Sequence, residues 1–238
     1  MGGAFDHILN WRLLPGSHAF PGPDGGTCIN EAALVAAGLP YRAIRSSADC
    51  PPCFSRPLAA YALGLNDAMP DAERPRLMAF VLRLSGSADA APVEAARTHH
   101  LTRETVRRLL PPVLDRAGLP AHAEACRAAV TLAEARAAAR AAAWAAGSRA
   151  EASSRRGTWV HGARAAAAAR AATFAAETEA RTAADAAEAS ALFWPGAWAE
   201  AAAILDEALA IGRQAPTLAV EAARDRMAAA RARPVAAA

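Results

Sequence analysis

Residues 133–146 read Ala-Glu-Ala-Arg-Ala-Ala-Ala-Arg-Ala-Ala-Ala-Trp-Ala-Ala, and they decide the fold class. Alanine loses no side-chain entropy on entering a helix and adds no crowding against the preceding turn, so this stretch is helical by backbone preference alone. The same composition extends from Ala121 to Ala238, where about two residues in five are alanine. The reading is an all-α protein. Methyl groups contribute little burial energy, roughly 0.8 kcal/mol per CH₂ against roughly 1.5–3 kcal/mol for a Leu-sized side chain. This half must therefore rely on helix propensity and close backbone approach, in antiparallel hairpins rather than Leu heptads.

Breakers divide the array. They predict a helix from about Pro120 to Ala146, ended by Gly147-Ser148, and a long one from about Ser148 to Leu192, with a break near Gly157 or Gly162. After Pro195-Gly196 come a helix over Ala197–Gly212 and a last one opened by Pro216. Trp144, Trp159 and Phe174 recur every fifteen residues, close to four helical turns, and are expected to pack between helices as the large knobs available there. Glu177 and Arg181 stand in the favourable i,i+4 order.

Ahead of this array the chain changes character. As far as about Pro57 it is rich in Gly and Pro, with Leu-Pro-Gly-Ser-His at 14–18, Pro-Gly-Pro-Asp-Gly-Gly at 21–26 and Cys-Pro-Pro-Cys at 50–53. Such residues fix or free φ and mark long ordered loops. One short helix is expected within them, capped by Thr27, spanning Cys28–Ala37, with Gly38 at the C′ position and Pro40 beyond. Further helices are expected from Ser55 to about Leu65, after Asp71 through Leu84, from Pro92 to about His99, and after a Thr102 cap, with Pro111-Pro112 kinking the last before Gly118. Tyr41–Ile44 is the one short strand candidate. The expected partition is a loop-rich helical domain over 1–119 and an Ala-rich helical domain over 120–238.

One constellation could carry chemistry. Pro23-Asp-Gly-Gly-Thr-Cys-Ile-Asn-Glu-Ala32 sets Cys28 in the first turn of a helix after a glycine pair. Free N–H groups and the helix dipole favour a thiolate there. Cysteine hydrolases of the papain type use a similar setting, and here His18 or His99 would serve as the base, with Asp24 or Asn30 orienting the ring. Against that, such enzymes present the histidine from a sheet, and no sheet is expected. Cys50 and Cys53 have metal or redox spacing, yet one pair is half a zinc site. Cys28 and His18 are the candidates to complete it.

The strings Leu14-Pro-Gly-Ser-His-Ala-Phe20, Pro23–Ala32 and Cys53-Phe-Ser-Arg-Pro57, with Asn66-Asp67 and Met69-Pro70 following, resemble a group of Ala-rich helical proteins encoded in GC-rich bacterial genomes. The likeness covers about residues 13–120 in detail and the remainder in composition. It implies a similar front segment before an Ala-rich helical tail, and it transfers no activity.

The totals narrow the partner. All 26 basic residues are arginine, as a GC-rich coding sequence would give, and with 23 acidic residues the net charge is only +3. Arginines interspersed with carboxylates make no phosphate-neutralising stripe, so nucleic acid is not expected as a partner. No segment approaches the roughly 20 apolar residues of a membrane span. The start, Met-Gly-Gly-Ala-Phe-Asp-His, lacks the pattern of a secretory signal. A cytoplasmic location with reduced thiols is expected. The functional expectation is a non-enzymatic interaction or scaffold protein, able to self-associate and engaging another protein or itself, without cofactor. The alternative is a cysteine-dependent enzyme of acyl-transfer or hydrolase type using Cys28.

Overall fold

The computed structural model describes residues 11–19, 26–177, 180–213 and 218–232. The fold is all-α: helices and irregular loops, with two isolated β-bridges and no strand among the described residues. The Tyr41–Ile44 segment is irregular.

Packing groups the chain into two units, residues 1–94 with 209–238 and residues 95–208. In the first, α1 (Ile29–Ala37), α2 (Arg56–Ala68) and α3 (Met78–Leu84) enclose a core of Ile29, Leu34, Phe54, Leu58, Tyr61 and Leu65. Cys28 is the N-cap of α1, in place of the expected Thr27. Thr27 is committed elsewhere: its hydroxyl accepts from the Trp11 indole N–H at 2.8 Å. Gly38 adopts the left-handed conformation and closes α1 through hydrogen bonds to Leu34 and Val35, the glycine C′ arrangement expected from sequence. Asp71 does not cap a helix; it pairs with Arg74 in the turn that leads through a 3₁₀ segment into α3. The last helix, α11 (Val220–Ala232), packs on α1 although nearly the whole chain lies between them. The composition boundary at 119/120 therefore does not coincide with the packing groups.

In the second unit, α4 (Ala91–Glu104) continues through a π turn at Thr105–Leu109 into α5 (Leu110–Arg116). No helix ends at His99, and Thr102 is a buried residue inside α4 instead of a cap. Pro111 and Pro112 cannot donate to the turn before them, and the wider π turn sits where that ladder is interrupted. Next come α6 (Pro120–Ala128), α7 (Leu132–Arg155), α8 (Trp159–Ala175), α9 (Ala180–Ala191) and α10 (Ala197–Leu209).

Two expected boundaries move. The chain breaks at 129–131 instead of at Gly147-Ser148, because Thr131 and Glu134 form a capping box. Thr131 Oγ1 accepts from the Glu134 N–H at 3.2 Å, and the Glu134 carboxylate accepts from Val130 and Thr131 N–H at 2.9 Å each. Gly147 is carried inside α7, since one interior glycine costs only about 1 kcal/mol in so strong a helix. The reversal comes at Gly157, with φ of +69°, and α8 runs on through Gly162.

The three-residue turn folds α7 and α8 into an antiparallel hairpin. Ala135, Ala139, Ala142 and Ala146 of α7 form its buried stripe, and α8 buries Ala165, Ala168, Ala171, Ala172 and Ala175. Large side chains enter this core from α5, where Leu110, Val113 and Leu114 are buried with the methyl groups. Phe174 packs against that core, but Trp144 and Trp159 do not. The expectation that both indoles pack between helices is overturned by the turn at Gly157, which breaks the fifteen-residue register between them. Glu177 lies in the turn after α8, and Arg181, in α9, pairs with Asp185.

Candidate functional site

The Cys28 segment is assembled around a carboxylate. Glu31, fully buried, accepts from the backbone N–H groups of His18, Cys28 and Ile44, each at 2.9 Å, and faces His18 Nδ1 at 3.0 Å. In return the Glu31 N–H donates to Cys28 Sγ at 3.5 Å, closing a capping box with a thiol in the usual hydroxyl position. Tyr41 Oη donates to the His18 carbonyl at 3.0 Å. One side chain thus ties together three separate pieces of irregular chain.

That arrangement opposes a nucleophilic role for Cys28. The residue is 0% exposed. Burial pushes the thiol pKa far up, and the adjacent Glu31 carboxylate pushes it further; backbone donors at the helix start pull the other way and lose. The helix terminus does favour the thiolate, but burial and the Glu31 carboxylate outweigh it. His18 approaches Cys28 only through Glu31, and Asn30 donates to the Ala59 carbonyl instead of orienting a ring. His99 is exposed on α4, outside these hydrogen bonds. Asp24 lies outside the described residues.

The candidate metal set is not assembled. Cys28, Cys50, Cys53 and His18 do not converge, and no group of three or more His, Cys, Asp or Glu among the described residues could hold an ion. All four cysteines are free thiols. Cys50 is buried, which raises its pKa to about 11, while Cys53 is half-buried.

A second site lies at the tip of the α7–α8 hairpin, within the second unit. Trp159 is 88% exposed there, with Val160 also exposed, and Trp144, halfway along α7, is 79% exposed. Single exposed apolar residues are common on protein surfaces; Trp159 stands out because it borders an apolar groove. Beside Trp159 opens a groove of about 440 Å³, lined by Ala150, Ser154, Gly157, Gly162 and Ala163. A second cleft of about 500 Å³ shares Ser153 and Thr158 with the groove and presents Arg149, Arg156 and His161.

The hairpin is also strongly basic. From Leu132 to Ala175 there are seven arginines and two acidic residues, Glu134 and Glu151. Of these arginines, only Arg155 makes an ion pair with a described residue, reaching Glu151 at 4.0 Å. The charges are therefore segregated, not interspersed as the whole-chain totals suggested. Counting over element-length windows would have shown this from sequence.

Neither protein-family models, nor characterised proteins, nor solved structures give a match for this chain. Among the described residues, no helix is long and apolar enough to cross a membrane.

Proposed function

We propose that this chain is a non-enzymatic interaction or scaffold protein, and that the α7–α8 hairpin is the surface with which it engages a partner polypeptide. The observation that carries this reading is the exposure of Trp144 and Trp159 on a rigid helical hairpin. Tryptophan is the residue type most enriched at the energetic centres of protein interfaces, and it is seldom left in water without use. Methyl-lined helices packed by propensity supply a stiff support for it. Four free thiols fit a reducing compartment, so a cytoplasmic setting is part of the proposal. So is grouping the chain with the Ala-rich bacterial proteins that its front segment resembles, a grouping that brings no activity with it.

The test is photo-crosslinking in cells. With a benzophenone amino acid in place of Trp159, irradiation is expected to give a defined protein adduct. The same probe at Arg45, an exposed residue of the first unit, is expected to give none. Adducts at both positions, or at neither, overturn the reading.

The cysteine-enzyme alternative keeps one test of its own. Reactivity of Cys28 towards iodoacetamide below neutral pH, at a rate above that of a free thiol, would revive it.

A further inference from the structure

The partner's chemistry can be narrowed from the charges around the tip, an inference that rests on the interaction reading above. We infer that the hairpin tip binds an acidic polypeptide segment: an apolar side chain of the partner enters the groove beside Trp159, and its carboxylates meet Arg149, Arg156 and His161 in the adjoining cleft.

Three observations support that occupant. The first is charge complementarity. Seven arginines stand against two glutamates, Glu134 and Glu151, over the hairpin, and the side chains of Arg149 and Arg156 make no ion pair or hydrogen bond with any described residue. Guanidinium forks left free in this way match carboxylates in bidentate geometry. The second is the division of the tip. An apolar groove and a cationic cleft meet at Ser153 and Thr158, so a ligand filling both must carry apolar and anionic groups within a few residues of each other. An acidic segment with an apolar anchor does so.

The third observation concerns a second copy of this chain. Its carboxylates are concentrated at 177–207, where seven acidic residues accompany one arginine. Several of those are already used within the chain. Arg108 takes Glu200 and Glu207, and Arg181 takes Asp185. With three of the seven already paired, a second copy offers a depleted set of carboxylates, and the complementary charge is assigned to a different protein, with a second copy as an outcome of the test.

The experiment uses the full chain and a fluorescein-labelled peptide of about 15 residues containing Asp, Glu and Leu, with a Lys/Leu peptide of equal length as control. Anisotropy is expected to show binding of the acidic peptide alone. Its affinity should fall about tenfold or more for Arg149→Glu with Arg156→Glu, and by a similar factor for Trp159→Ala, with unchanged circular dichroism. Raising salt from about 50 to about 200 mM should weaken it several-fold, because charge pairs at a rim are screened.

Two further probes stand for other ligand classes: a single-stranded thymidine oligonucleotide, and vesicles of phosphatidylcholine with phosphatidylglycerol. Tighter binding to either of these overturns the inference. So does acidic-peptide binding that survives both sets of substitutions, or a dimer that forms through the hairpin and is lost with Trp159→Ala. If crosslinking from position 159 yields a protein adduct while the charge-reversed variant keeps it, the partner class is wrong and the interaction reading stands. If no adduct forms at all, the interaction reading itself fails.

Discussion

Replacing Glu31 by alanine should be the most damaging single change in the front unit. The substitution removes the acceptor of three backbone N–H groups, each held at 2.9 Å, and the partner of the His18 ring. A buried donor left without an acceptor costs about 1–3 kcal/mol. Two of the three donors, on Cys28 and Ile44, belong to fully buried residues, while His18 keeps 21% of its side chain exposed and water can reach it. Part of the loss is offset because a buried carboxylate no longer has to be desolvated. The expected destabilisation is about 3–5 kcal/mol, a large fraction of the roughly 5–15 kcal/mol typical of a folded domain.

Urea unfolding of the two proteins, followed by far-UV circular dichroism and by tryptophan emission, measures it. The emission trace includes Trp11, whose indole is tied to Thr27 beside the site. Glu31→Gln provides a graded control. It keeps one carbonyl oxygen, enough for two of the N–H groups, but turns an NH₂ towards the third, so it should fall between wild type and alanine. A loss below about 1 kcal/mol for the alanine variant would refute the argument, since it would mean that the three donors find other acceptors.

Other expectations follow from the same structure. Alkylation of the native protein at neutral pH should label Cys53 first, with Cys28, Cys50 and Cys126 protected until unfolding, as mass spectrometry of time points would show. Cys28→Ser should leave stability within about 1 kcal/mol of wild type, because a hydroxyl caps a helix at least as well as a thiol; a large loss in thermal melts would count against the capping role. Gly157→Ala should cost about 1 kcal/mol, because alanine is strained at a φ of +69°, whereas Gly147→Ala, inside α7 with open space around its Cα, should stabilise by up to about 1 kcal/mol; equal effects would contradict the assigned turn.

Acid should destabilise the second unit in two stages, readable from melting temperature against pH. Burial holds His100 below the ordinary histidine range despite the Glu104 and Glu207 carboxylates, so the neutral ring is favoured on folding, and its contribution is lost as pH falls through that range. Burial alone would raise Glu104, but the Arg103 and Arg107 guanidiniums outweigh it and hold the carboxyl below its usual value. Its contribution is full above the carboxylate range and disappears as pH falls below it. A melting temperature independent of pH between neutrality and the carboxylate range would contradict both assignments.

Much of the fold was legible in the residues, for reasons that differ by segment. Helix α1 was readable because Gly38 and Pro40 leave few other endings, and the Ala-rich half because alanine has little competing conformation. Boundaries inside that half were harder to place. In a chain of methyl groups a lone glycine such as Gly147 is tolerated, so the break is decided by polar detail, the Thr131–Glu134 capping box and the left-handed Gly157. The same box at Cys28-x-x-Glu31 is masked by its thiol, which is not among the usual capping groups, and so is the carboxylate that organises the front loops. Return of α11 to pack on α1 left no local signal, since its alanines are compatible with any neighbour. Trp144 and Trp159 read as interior residues because large apolar side chains seek burial, and their exposure follows from the hairpin reversing the chain between them.

Accessibility of those two indoles bears most directly on the idea that this helical array presents surface and not reaction machinery. Acrylamide quenching of variants retaining a single tryptophan, at position 11, 144, 159 or 198, measures it. Trp144 and Trp159 should be quenched nearly as readily as free indole and Trp11 and Trp198 only weakly, with quenching at 159 falling when the acidic peptide is added. Shielded emission from Trp144 and Trp159 in the free protein would contradict the account.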